Sequence, residues 1–277
     1  MVFITTQSIT AEITRQQRLA ADIAGEQTKI STTKKINQPS DNPHDWVQIS
    51  QVGRRQSINA AWKGNLTFAE SRATQASTNL NEVNNLMTRV TELIVTSTST
   101  ADGSTGREAV AKELEGIRAT INDLLNQTDY QGTPVFDHPS AVLIPLGAGL
   151  NVEAVPTRAS IMENAVGSRS IDQVISDIIS VVRTGTEADR SAALQDARTA
   201  LDHVIVAQSV QGVRSQRLED IGGRLTNSDL ALTERRSALE DTDITETSVK
   251  LQSKLLTLEA AQLAFARINQ KSLFDLF

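Results

Sequence analysis

Apolar residues recur along most of this chain at spacings of three and four, and at its two ends they also recur at seven. Near the start the seven-residue row is Ile9, Gln16, Ile23 and Ile30, with a companion row at Ile13, Ala20 and Gln27; near the finish it is Ile244, Leu251, Leu258 and Phe265. Such rows predict helices with one apolar stripe. Neither stripe adjoins a compact core in sequence, so each terminal helix has to bury its stripe on another helix. Two Gln in the first seam make it a weak coiled coil alone, and both ends are expected to order only when partners are present. The subunit-interface candidates are therefore Ile9, Ile13, Ile23 and Ile30, and Ile244, Leu251, Leu255, Leu258, Phe265, Leu273 and Phe274.

Between the ends the pattern predicts long helices and one interruption. The first helix, from Thr5 to about Ser31, stops at Asn37-Gln38-Pro39-Ser40-Asp41-Asn42-Pro43, because proline lacks the N–H that a helix interior needs. A second helix is expected from near Asp45. From Trp62 its seam reads Leu66, Ala69, Ala73, Ala76, Leu80, Val83, Met87, Val90 and Ile94, a rod of roughly 45 to 50 Å at the helical rise. Alanine in mid-seam implies close helix approach. After a turn cluster ending at Gly106, a third helix carries Val110, Leu114, Ile117, Ile121 and Leu124.

Between Thr133 and Gly167 the pattern changes. Four of the six prolines fall there (Pro134, Pro139, Pro145, Pro156), with short aliphatic runs that predict strands and turns. Helical spacing returns at Ile171, Val174, Ile178 and Val181, then at Leu194, Ala197, Leu201 and Val204, then at Leu218, Leu225, Leu232 and Leu239. The five-residue step from Leu239 to Ile244 breaks the heptad. The last helix therefore starts afresh, with Asp243 as N-cap and Glu246 in the capping-box position.

This layout is near-symmetric about its centre, so the chain is expected to fold back like a hairpin. The fold class is mainly α: an elongated antiparallel helical bundle with paired N- and C-terminal coiled-coil helices and a small β-rich insertion. The expected division is 1–43 with 243–277 as terminal assembly helices, 44–132 with 168–242 as a helical rod domain, and 133–167 as the insertion.

Composition narrows the function. Aromatics are 3% of residues, which leaves little for a stacking platform for bases, and a net charge of -6 argues against a nucleic-acid partner. No apolar run approaches the about 18 residues of a membrane-spanning helix. The first twenty residues lack a basic stretch followed by an apolar one, so no cleaved secretory signal is expected. Zero cysteines exclude disulfides, thiolate metal sites and cysteine nucleophiles.

The remaining chemistry reads blandly. His44, His138 and His203 have no zinc-ligand spacing around them and read as loop or surface histidines. Gly147-Ala148-Gly149 lacks the third glycine and following helix of a dinucleotide loop, so turn geometry explains it. Glu240, Asp241, Asp243 and Glu246 lack the alternating loop of a calcium site and read as a helix cap with a solvated face. No catalytic, cofactor or metal site is predicted, and no cofactor is expected.

Four further stretches carry motifs. The first, Lys29-Ile30-Ser31-Thr32-Thr33-Lys34-Lys35-Ile36-Asn37-Gln38-Pro39-Ser40-Asp41-Asn42-Pro43, resembles the N-terminal signature of the bacterial flagellin family, with Thr33 where Gly is usual and Asn42 where Asp is usual. Its Pro-Ser-Asp-x-Pro form is more similar to the hook-associated members at the hook–filament junction than to filament flagellin. At the other end Leu239-Glu240-Asp241-Thr242-Asp243 is similar to the Leu-Glu-Asp-x-Asp motif, and Ser272-Leu273-Phe274-Asp275-Leu276-Phe277 to the junction-type ending, with Phe277 where an aliphatic is usual. The fourth, Thr128 to Phe136, resembles the turn where the family leaves its helical domain. The likeness covers roughly 3–136 and 200–277.

The resemblance implies a structural, non-enzymatic subunit of the flagellum, exported without a cleaved signal by the type III apparatus with an export chaperone and assembled outside the cell. Its implied partners are copies of itself, other hook-associated proteins and flagellin, with neither nucleic acid nor membrane insertion. Filament flagellin, or a flagellin-like surface protein whose insertion binds a ligand, stand as alternatives.

Overall fold

The computed structural model describes residues 6–99, 104–129 and 132–274. Among them seven helices and one two-stranded sheet run in the order α1 (Thr6–Thr32), α2 (Pro43–Ser99), α3 (Ser104–Asn126), β1 (Leu143–Gly147), β2 (Leu150–Glu153), α4 (Arg158–Met162), α5 (Ile171–Thr184), α6 (Glu187–Glu240) and α7 (Ile244–Phe274). The protein is mainly α, as the periodicity requires. Its contacts divide it into two compact units, a middle unit of residues 58–228 and a terminal unit of residues 1–57 with 229–277.

The middle unit is a helical bundle built on the α2 seam. Every member from Leu66 to Ile94 is buried, and Ala69, Ala73 and Ala76 are at most 2% exposed, the small side chains letting neighbouring backbones come close. Against them pack Leu114, Ile117 and Ile121 of α3, Ile171, Val174, Ile175 and Ile178 of α5, and Ala197, Val204, Leu218 and Leu225 of α6. Each fully buried aliphatic here contributes about 1.5–3 kcal/mol. α3 and α5 lie against each other, and Arg118 forks onto Asp172 at the α5 start with both bonds at 2.7 Å. A Ser170–Gln173 capping box closes that helix end.

The Thr133–Gly167 segment is bound into this core. Strands β1 and β2 form an antiparallel hairpin with Ile144 opposite Val152, and Gly149 at φ +73 supplies the left-handed turn position. Val135, Phe136, Ile144, Leu146, Val152, Val155 and Ile161 belong to the same buried cluster as the α2 seam. A polar rivet joins them: Arg72 of α2 donates to Asp137 Oδ1 at 2.8 Å and to the Pro134 carbonyl at 2.9 Å, with Arg72 and Asp137 side chains only 6% and 1% exposed. The other Asp137 oxygen accepts from the Val142 N–H at 2.7 Å. The insertion thus shares its core with the middle-unit helices, because its strands are too short to bury their inward residues on each other.

In the terminal unit α1 and α7 pack against each other, joined by the first turns of α2 and the last turns of α6. α2 starts at Pro43, two residues before the expected Asp45. Proline at the first helical position loses no bond that another residue would make there, and the Asn42 side chain caps the helix by accepting from the Asp45 N–H at 3.1 Å.

Candidate assembly interface

The C-terminal end of α1 meets the α6–α7 connection at one joint. α1 ends at Thr33, whose φ of +59 is a left-handed conformation that costs a β-branched residue strain. The backbone then pairs with the α6–α7 connection: Thr242 N–H donates to the Thr33 carbonyl at 3.0 Å and Lys35 N–H to the Glu240 carbonyl at 2.8 Å. Lys35 Nζ satisfies the Ala238 carbonyl at the α6 end at 2.8 Å. Buried Glu240 is paired with both Lys34 and Arg236. Burial pushes its carboxyl up, but the hydrogen bonds from Lys34 and Arg236 outweigh that and hold it below the ordinary value.

Asp41 folds the proline loop shut. Its Oδ2 accepts from the Asn37 and Gln38 N–H groups at 2.8 and 3.0 Å, and those bonds draw its acid form down. Across the joint, Asp243 Oδ1 caps α7 through the Glu246 N–H at 3.0 Å. The reciprocal half of the expected capping box is diverted, since the Glu246 carboxylate pairs with Lys250 at 2.6 Å instead. So the residues that carry both terminal motifs are the ones that knit this joint.

Beyond the joint, α1 and α7 run antiparallel. Glu26, 7% exposed, holds Lys254 Nζ at 2.8 Å and Lys29 Nζ at 3.5 Å. The Lys254 bond is the main reason its carboxyl stays ionised below its ordinary range. This part-buried ion pair between the two helices favours one register of their pairing, as a polar residue does in a coiled-coil seam.

The predicted interface residues divide by side. Ile23 is buried, and Ile9 and Ile30 are half-buried on the same stripe; Leu251, Leu258 and Phe265 are half-buried on the side of α7 that carries Lys254. These seven-residue rows therefore serve the in-chain pair. Ile13, Ile244 and Leu255 are exposed at 44%, 49% and 39%. The side chains of Leu273 and Phe274 lie outside the described residues.

A second row escaped the sequence reading. Val249, Leu256 and Leu263, also seven apart, are exposed at 61%, 68% and 62%. Each lies two residues before a member of the inward row, and two residues turn a helix by 200°, so the exposed row stands opposite the one facing α1. α7 is apolar on two opposed sides and has a helix on one of them.

Among the described residues no three His, Asp or Glu side chains are placed to hold a metal, and no helix is long and apolar enough to cross a membrane. His44 is exposed beside Asp45 and Gln48, His138 is exposed, and His203 is half-buried in α6.

A model of the bacterial flagellin N-terminal helical region matches residues 4–141, and one of the bacterial flagellin C-terminal helical region matches residues 193–277. The chain is similar to flagellar hook-associated protein 3 of Escherichia coli strain K12, 22% identical over 291 residues that take in 91% of each protein. It is similar to flagellar hook-associated protein 3 of Salmonella typhimurium strain LT2 at 27% over 151 residues, 54% of this chain and 44% of that protein. In fold it is similar to the flagellar junction protein FlgL of Legionella pneumophila, with TM-score 0.55 and 12% identity over 70% of this chain and 100% of that one. A further fold likeness is to FlgL of Bacillus cereus, with TM-score 0.57 and 15% identity over 67% and 98%.

Proposed function

The chain belongs to the bacterial flagellin family, whose members are structural components of the flagellum, and we propose that within it this protein is the subunit that joins hook to filament. It does so through its terminal unit, whose helices pack with those of neighbouring copies, with other hook-associated proteins on one side and flagellin on the other. It reaches that place outside the cell through the flagellar export apparatus, escorted by an export chaperone.

The observation that carries this reading is the likeness to a flagellar hook-associated protein 3 over 91% of this chain and 91% of that protein. The terminal unit supports it chemically, since an α-helix that keeps large aliphatic side chains in water along a full heptad row is unfinished until another helix covers them.

Electron microscopy of cells that lack this protein tests the reading. Hooks without filaments, with flagellin released into the medium, are the expected result. A filament that is merely shorter, on an intact junction, would overturn it in favour of a filament subunit.

A further inference from the structure

On the reading above, we propose that the exposed α7 row Val249, Leu256 and Leu263 packs onto the outer face of α1 of a second copy of this chain. That face carries Thr14, Ala21, Gly25 and Thr28, and in the same contact Glu259 meets the second copy's Arg18. The argument begins with what each helix leaves uncovered. On α1, Thr14, Ala21 and Thr28 lie two residues before Gln16, Ile23 and Ile30, hence opposite the side that meets α7. Ala21, Gly25 and Thr28 are exposed, and a Cβ added at Gly25 would meet nothing within 4 Å. One helix thus offers a ridge of large aliphatics at heptad spacing, and the other a shallow row of small side chains at the same spacing, the pairing that knobs and holes require.

Charge sets the direction. Arg18 stands between Thr14 and Ala21, and Glu259 between Leu256 and Leu263; both are exposed and neither has an ion-pair partner among the described residues. If the helices ran parallel with Val249 against Thr14, Glu259 would fall beside Ala24. Antiparallel, Val249 meets Thr28, Leu256 meets Ala21, Leu263 meets Thr14, and Glu259 meets Arg18 in the same register.

That register has a consequence for the assembly. Within one chain Glu26 already meets Lys254 and Thr33 meets Thr242, so the second copy's α1 lies at nearly the same height along α7 as the chain's own α1. Copies stand side by side and point the same way. Because the ridge and the row are different surfaces, the contact is heterologous, and it repeats into a ring or a shallow helix instead of stopping at a dimer.

The absence of cysteine makes the test clean. Cells carrying the Ala21→Cys, Leu256→Cys double variant are oxidised mildly, and their sheared flagella, in which a reducing gel detects the protein, are analysed without reductant. Ala21 and Leu256 point away from each other within one chain, so only an intermolecular contact brings their Cα atoms within disulfide reach, about 4.4–6.8 Å. The expected result is a ladder of two, three and more copies, with neither single variant forming any product. In the same background Arg18→Glu and Glu259→Arg each weaken the ladder several-fold, and together they restore it. Dimers from Leu256→Cys alone would overturn the proposal in favour of a self-paired contact. No product, with the protein present in the flagella, would overturn this contact and leave the junction reading standing, whereas its absence from flagella would overturn that reading and this contact with it.

Discussion

The middle and terminal units are made from similar helices but are finished to different degrees. Among the described residues the middle unit buries 38 aliphatic and aromatic side chains, Ala and Met included, and the terminal unit four: Ile23, Ile36, Ile49 and Val52. Charge divides the same way, with 14 basic and 20 acidic residues in 58–228 against 13 and 13 in 1–57 with 229–277. The middle unit therefore carries the whole net charge, which keeps copies apart in solution, while the terminal unit is neutral, which favours close packing of copies. One unit is stable through its own core. The other is held by four buried aliphatic side chains, a hydrogen-bonded joint and the ion pairs of Glu26 and Glu240, and it leaves an aliphatic row of α7 in water.

The largest break in that comparison should come from the middle unit. Arg72→Ala leaves Asp137 buried and unpaired, so it is expected to destabilise residues 58–228 by about 3–5 kcal/mol. The two tryptophans make this measurable unit by unit, since Trp46 lies in the terminal unit and Trp62 in the middle one. Urea unfolding of a Trp46→Phe background follows the middle unit alone, and a shift below about 1 kcal/mol would mean that the rivet is decorative.

Next in size is Glu26. Its carboxyl is lowered in the folded state, so its contribution is complete above the ordinary value of 4.5 and is lost as the pH falls through the lowered folded value. Glu26→Ala should cost about 1.5–3 kcal/mol of α1–α7 pairing at neutral pH. That deficit should shrink on acidification. Helix content of the terminal unit, followed by circular dichroism from pH 7 to pH 3, checks both, and a deficit that stays constant with pH contradicts the role given to the Lys254 pair.

Smaller again is Thr33→Gly, which relieves the left-handed backbone at the joint and should stabilise the terminal unit by about 1 kcal/mol. A loss of stability on thermal melting would mean that the Thr33 side chain supports the joint. Smallest in the isolated chain is Leu256→Ser, expected within about 0.5 kcal/mol of the parent because the side chain is already in water. In the cell the same change should weaken filament attachment several-fold, since Val249 and Leu263 of the same row remain.

How much of this was legible in the sequence follows from how far each residue's partner lies along the chain. The α2 seam from Leu66 to Ile94 was readable residue by residue, because a helix puts every third or fourth position on one face whatever covers it. The cap at Asp243 was readable for the same local reason. That Ile144, Leu146 and Val152 join the rod core was not, since two short strands show which side chains share a face and nothing about what that face meets. The buried Arg72–Asp137 pair, 65 residues apart, carries no local signal at all. On α7 the heptad reading found one row and stopped: Leu251, Leu258 and Phe265 lie on the side that carries Lys254, and the row two residues earlier, which it did not pick out, is the uncovered one.

Hydrogen exchange on the full-length monomer and on assembled flagella tests the central claim most directly. Slow exchange at Leu80–Ile94 in both states, with exchange at Ile13–Ile23 and Leu251–Phe265 that is faster than in the middle unit in the monomer and becomes slow on assembly, is the predicted result. Strong protection of both terminal helices in a confirmed monomer would contradict it, because the terminal unit would then be complete without a partner.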